Sequence, residues 1–189
     1  MTIWILHQPM SEEEEAVLSQ QTTLALPFVG LPDLSELAGP AQALEMLAAL
    51  YPDDPPESIN NRLDRFWPTF VKIHFEDLIA VPLLHRKEVV LAEVTGGYIY
   101  QVGEKGEDMH RIPVKFYPQI IPLRRFKQYR EWFTATGNKI VEVTDDKLRI
   151  AIRDQLPHQY NRFVKYKWLM ALFILMSLAQ LYQRLATPW

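Results

Sequence analysis

Asp145-Asp146-Lys147 brings two carboxylates and an ammonium together, the residue types that metal-assisted hydrolysis uses. The triplet follows an apolar run over residues 139–143 and opens an amphipathic segment that extends to about residue 155. Thr144-Asp145 therefore fits a helix N-cap, and capping is the expected role. The five histidines, His7, His74, His85, His110 and His158, are scattered and form no ligand pair at helical spacing. The acidic run Glu12-Glu13-Glu14-Glu15 has no histidine partner. It has the form of a helix start, with Ser11 at the N-cap and Glu14 at the capping-box position. The chain has no cysteine, which excludes disulfides, thiolate zinc sites and cysteine nucleophiles and fits a cytoplasmic protein. No Gly-rich phosphate loop, Gly-x-Ser-x-Gly elbow or His-Glu-x-x-His is present. The expectation is a protein without a catalytic centre, metal or cofactor, and so one that acts by binding.

Two features carry binding chemistry. Tyr98 and Tyr100 fall on one face of an extended segment beside Gly96-Gly97, and Arg124, Arg125, Lys127 and Arg130 crowd one short basic stretch. The elements that would hold them can be read from periodicity. Residues 78–84 and 89–94 are apolar runs joined by the charged turn His85-Arg86-Lys87-Glu88, and residues 112–117 alternate. Strands so short and closely spaced predict a small antiparallel sheet curled toward a barrel. Further strands are expected over residues 2–6, 23–29 and 139–143, with Pro27 marking the second as an edge or as ending early. Helices are expected over residues 41–51, 57–73 and 123–133. The second carries an apolar stripe of Ile59, Leu63, Phe66, Phe70 and Ile73 and a kink near Pro68.

At 189 residues and 48% hydrophobic content the chain can form one packed domain with an appendage. The net charge of −3 hides an asymmetry: residues 1–61 hold ten acids and no Lys or Arg, whereas residues 62–189 hold all 20 Lys and Arg against 13 acids. Such halves either orient the protein on an anion or neutralise each other. The apolar start of the chain lacks a basic n-region and a cleavage site, so no signal peptide is expected. Residues 168–182, from Trp168 to Tyr182, are apolar on every side and flanked by Lys165, Lys167 and Arg184. At 15 residues the run is shorter than the ~20 a spanning helix needs. It reads either as an association helix for a second copy or a partner subunit, or as a membrane-associated segment.

A family resemblance extends over residues 1–155. It is carried by Ile3-Trp4-Ile5-Leu6, Asp33-Leu34-Ser35, Tyr51-Pro52, Ile59-Asn60-Asn61, Phe66-Trp67, Asp77-Leu78-Ile79-Ala80-Val81-Pro82, Glu93-Val94-Thr95-Gly96, Arg111-Ile112-Pro113-Val114 and Ile121-Pro122. In order and approximate spacing this resembles the PUA-like barrel of EVE-type domains, above all the N-terminal domain of Mrr-type restriction proteins. The chain departs from that family at His7, where Arg is usual. It departs also at Glu76, where Gly is usual, and at Leu26-Pro27-Phe28, where Ile-Gly-Trp is usual. The resemblance implies an α+β fold: a PUA-like barrel domain over residues 1–156 surrounded by helices, then an apolar C-terminal helix within residues 157–189. Mrr-type proteins cut DNA through a separate nuclease domain with an acid-x-Lys strand; that domain is not expected here, because Asp145-Asp146-Lys147 fits a helix cap and no upstream acid is well placed.

Members of that family take an unstacked, in some cases modified, base into a pocket. Such a pocket needs aromatic faces, an amide and cations on the flanking phosphates. On that implication the base-binding candidates are Trp4, Phe28, Asn61, Trp67, Tyr98 and Tyr100, and the phosphate-binding candidates are Arg111, Lys115, Arg124, Arg125 and Lys127. Each aromatic has core packing as its alternative role. The function implied is a non-catalytic nucleic-acid-binding module, for DNA and a modified or flipped base, in a restriction or defence setting. The alternative is an interaction subunit that keeps the barrel, has lost the pocket, and docks a partner or membrane through its last helix.

Overall fold

The computed structural model describes residues 1–102 and 108–157. The apolar run over residues 168–182 lies outside the described residues, as does most of the polar loop after Val102. Residues Met1–Ala151 form one compact unit, and a second begins at Ile152.

The first unit is a mixed α+β structure built on a curled, seven-stranded half-barrel sheet. Its strands are β1 (Ile3–His7), β2 (Thr23–Ala25), β3 (Leu78–Leu83), β4 (Glu88–Val94), β5 (Ile99–Val102), β6 (Asp108–Pro122) and β7 (Lys139–Glu142). They run β2-β6-β4-β3-β1-β7, and β5 pairs with β6 off this path. β1 lies parallel to β3, with Ile3 opposite Leu78 and Ile5 opposite Ala80; the other pairs are antiparallel. The five described helices are α1 (Glu12–Val17), α2 (Pro40–Leu50), α3 (Pro56–Lys72), α4 (Arg130–Thr134) and α5 (Asp146–Arg153).

Burial explains why the central strands read as continuous apolar runs. Every residue of β1 and β3 is buried, so both faces of the sheet are covered at its middle. Trp4, Leu6, Ile79, Val81, Val90 and Ala92 join one core cluster with Ala43 and Leu47 of α2 and Ile59 and Phe66 of α3. The alternate residues Ile3, Ile5, Leu78 and Ala80 are equally buried but lie outside that cluster, on the opposite pleat. Near that side α4 contacts β1, and Phe126 stacks on Phe133 with ring centres 4.6 Å apart.

Local chemistry sets the ends of the elements. Ser11 Oγ accepts from the Glu14 N–H at 3.3 Å and the Glu14 carboxylate accepts from the Ser11 N–H at 2.7 Å, completing the expected capping box. Asp145 caps α5 by accepting from the Leu148 N–H at 2.9 Å. β2 stops at Ala25, two residues before Pro27, and lies at the sheet's edge. α3 runs as one helix from Pro56 to Lys72 and carries Pro68 inside it, exposed to solvent. The expected basic helix over residues 123–133 is instead a run of tight 3₁₀ turns, Leu123–Tyr129, followed by the short α4. Phe126, fully buried, has φ −104° and ψ 31°, which breaks the helical path.

Candidate nucleic-acid interface

The sequence candidates fall into two places rather than one. Four of the six base-binding candidates meet in an aromatic cluster around His110. Phe28 lies 5.7 Å from the His110 ring, Tyr98 5.8 Å and Tyr100 5.4 Å; Trp67 joins through Phe70, 5.7 Å away, which in turn meets Tyr98 at 5.1 Å. The edge-on and tilted geometries are those of rings packed against one another. His110 and Phe28 are buried, and Trp67, Tyr98 and Tyr100 are half-buried.

Hydrogen bonds fix the cluster's polar centre. The Leu34 N–H donates to the Tyr98 hydroxyl at 3.3 Å, and His110 Nε2 lies 2.9 Å from the Leu31 carbonyl, which can only accept. Nε2 therefore carries a proton, and in the neutral ring Nδ1 accepts from the Tyr98 O–H at 2.7 Å. Burial, opposed by the Leu34 N–H, raises the Tyr98 pKa and keeps the phenol protonated as this chain of bonds requires. The cluster thus ties the loop of residues 28–34 to β5 and β6.

The remaining two base candidates lie apart from these rings. Trp4 is 2% exposed and its indole N–H donates to Asp77 Oδ2 at 3.2 Å. Asn61 is exposed on α3.

The phosphate candidates also separate. Arg111 neighbours the aromatic cluster, but its guanidinium is turned onto Thr23 Oγ1 at 2.9 Å. Lys115 is exposed in mid-β6, opposite Glu93. Arg124 and Lys127 line an open cleft of about 560 Å³ at the far end of β6, together with Arg86, Lys87 and Arg130. Arg125 is exposed but does not line it.

Sequence reading missed Arg86 and Lys87 as partners of this set. The register explains why: Glu88 pairs with Pro122, so the β3–β4 turn arrives beside the 3₁₀ segment. The Leu123 N–H closes the junction by donating to the Lys87 carbonyl at 2.9 Å. The turn has a second anchor. Glu15 of α1, 3% exposed, accepts from the His85 and Arg86 N–H groups, each at 3.1 Å.

Among the described residues Glu88 is the one acid lining the cleft, and its carboxylate lies 2.9 Å from Arg86 Nε. The other ion pairs among the described residues, Arg62–Asp54, Lys72–Glu142 and Arg149–Asp146, leave Lys87, Arg124, Lys127 and Arg130 untouched. Among the described residues only Arg62–Asp54 joins the acidic first 61 residues to the basic remainder.

His110 and Leu123 are 13 residues apart along one extended strand, up to about 40 Å at ~3.3 Å per residue.

No protein-family model matches the chain, no curated protein is similar to it, and no solved structure matches it. Among the described residues no group of three or more His, Asp or Glu could hold a metal ion, and no helix is long and apolar enough to cross a membrane.

A second, smaller cleft of about 210 Å³ is lined by His7, Pro9, Pro82, Leu84, Ala135 and Gly137, among others. His7 is 5% exposed. Burial lowers its pKa below 6.5, and Lys139 across the β1–β7 pair adds to this, while the Trp132 backbone opposes it. Below pH 6.5 the unfolded chain takes up a proton at this position that the folded chain refuses. Stability contributed at His7 is therefore present above 6.5 and is lost as the pH falls through the lowered folded value. Melting temperatures measured from about pH 7.5 to 5 should fall more steeply for the natural protein than for His7→Gln. Parallel curves would refute this assignment.

Proposed function

We propose that the chain is a non-catalytic nucleic-acid-binding module that holds the sugar–phosphate backbone of a strand in the cleft lined by Arg86, Lys87, Arg124, Lys127 and Arg130. The observation that carries this reading is five cations converging from two separate segments on one open cleft with a single acid. Phosphate contacts made by such residues release counterions and dominate affinity. The curled half-barrel, with the Asp77, Glu93-Val94 and Arg111–Val114 motifs in paired strands, is read as a PUA-like barrel of the EVE or Mrr N-terminal kind. DNA as the ligand, a modified or flipped base and a restriction setting follow from that resemblance alone.

Fluorescence anisotropy of a labelled oligonucleotide of about 12 nucleotides as single strand, as duplex and with modified cytosine, at roughly 50 and 200 mM salt, tests the reading. Three to five phosphate contacts predict a log–log salt slope of about −2 to −3.5 on a single strand, at ~0.7 per phosphate. Absence of binding to all three at about 10 μM protein and 50 mM salt, a concentration far into the range of ordinary non-specific affinity, would leave the interaction-subunit alternative.

A further inference from the structure

The two clefts are neighbours. Leu84 lines both, and Thr134 of the basic cleft is followed in the chain by Ala135 of the smaller one. We propose that the cleft at His7 takes an unpaired nucleobase from the strand whose phosphates occupy the basic cleft, an inference that rests on the nucleic-acid reading.

Topology makes the smaller cleft. Because β1 and β3 run parallel, their carboxyl ends reach the same side of the sheet, and His7-Gln8-Pro9 arrives beside Pro82 and Leu84. The turn after α4, where Gly137 has φ +101°, closes the third side.

Size selects the ligand. The cleft's 210 Å³ is below the ~300 Å³ at which sites for whole drug-sized molecules begin, so it suits one ring system of a larger ligand. Its walls are mainly apolar: two proline rings, Leu84 and Ala135 offer surface against which a flat base loses water.

The polar groups suit a base better than a phosphate. His7 is neutral near pH 7, because burial and Lys139 both oppose its charging. A neutral imidazole has one acceptor nitrogen for a base N–H, and the Gln8 amide offers both a donor and an acceptor. The cations that an anion would seek stand next door. This arrangement offers a base a place next to the cations that would hold its own phosphates.

The test compares two ligands on three proteins. Inorganic polyphosphate and a single strand of about 12 nucleotides are titrated against the natural chain, His7→Gln and Ala135→Leu, the last filling the cleft from its turn. Circular dichroism melts verify folding, and the two variants act at different walls, so the misfolding of one leaves the other informative. The expected result is unchanged polyphosphate binding in both variants and about tenfold weaker oligonucleotide binding, the scale of burying roughly 55 Å² of apolar base surface. Oligonucleotide binding equal to that of the natural chain in a folded variant overturns the base site and leaves the backbone cleft standing. Failure of the natural chain to bind either ligand overturns the nucleic-acid reading itself, and the base site with it.

Discussion

Replacing Arg124, Lys127 and Arg130 together by alanine should weaken single-strand binding by about 100-fold or more at low salt. Each charge-assisted hydrogen bond to phosphate in a water-exposed cleft is worth on the order of 1 kcal/mol, somewhat under a factor of ten. The salt slope should flatten by about 2, at ~0.7 per phosphate released. All sequences should suffer alike, because phosphate contacts position a strand without reading it. Arg125→Ala is the internal control. Arg125 stands between two of the cleft's cations in the chain but does not line the cleft, so its removal should cost less than about threefold, the scale of a rim charge. The comparison is made by anisotropy at two salt concentrations. Equal effects of Arg125→Ala and Arg124→Ala would mean that the basic segment attracts anions only diffusely.

Asp77→Ala should lower stability by roughly 3–5 kcal/mol, which for a chain of this size is roughly 6–20 °C in melting temperature. Asp77 is 3% exposed, and its carboxylate accepts from the Thr2 N–H, the Trp4 indole N–H at 3.2 Å and the His74 N–H at 3.1 Å. Its removal strands three donors at the start of the sheet, where β1 meets β3. Trp4→Phe removes only one donor and should cost distinctly less. Near-UV circular dichroism melts measure both, and a shift below about 2 °C for Asp77→Ala would show that water replaces the carboxylate.

Where sequence reading succeeds, the cause is local. The apolar runs of β3 and β4, the capping box at Ser11 and Glu14, and the Asp145 cap depend on residues within a few positions of one another. Its failures have non-local causes. The alternation over residues 112–117 points to a strand that ends at Tyr117, before Pro118, yet β6 continues to Pro122. The ladder tolerates Pro118 because the register shifts there: Val90 pairs with Ile120 and Ala92 with Phe116, leaving the residues between them out of step. Glu76, in the turn before β3, has φ +69°, a conformation that glycine adopts without strain. Four of the aromatic candidates do form a spatial group, but ring faces used for packing look the same in sequence as faces left open for a base. The basic cleft is half legible. Arg124 and Lys127 announce themselves in one short stretch, whereas Arg86 and Lys87 join them only through the pairing of β4 with the end of β6 and the hold of Glu15 on the turn.

The central claim is that a strand lies along the β3–β4 turn and the 3₁₀ segment, and not on the aromatic cluster. Titration of a single strand of about 12 nucleotides into the ¹⁵N-labelled protein, followed by amide chemical shifts, tests it most directly. The account predicts perturbations concentrated at residues 84–88 and 122–134, extending to His7 and Gln8, with the amides of Trp67, Tyr98 and His110 unmoved. Perturbations confined to Trp67, Tyr98, Tyr100 and His110, with the cleft silent, would contradict it.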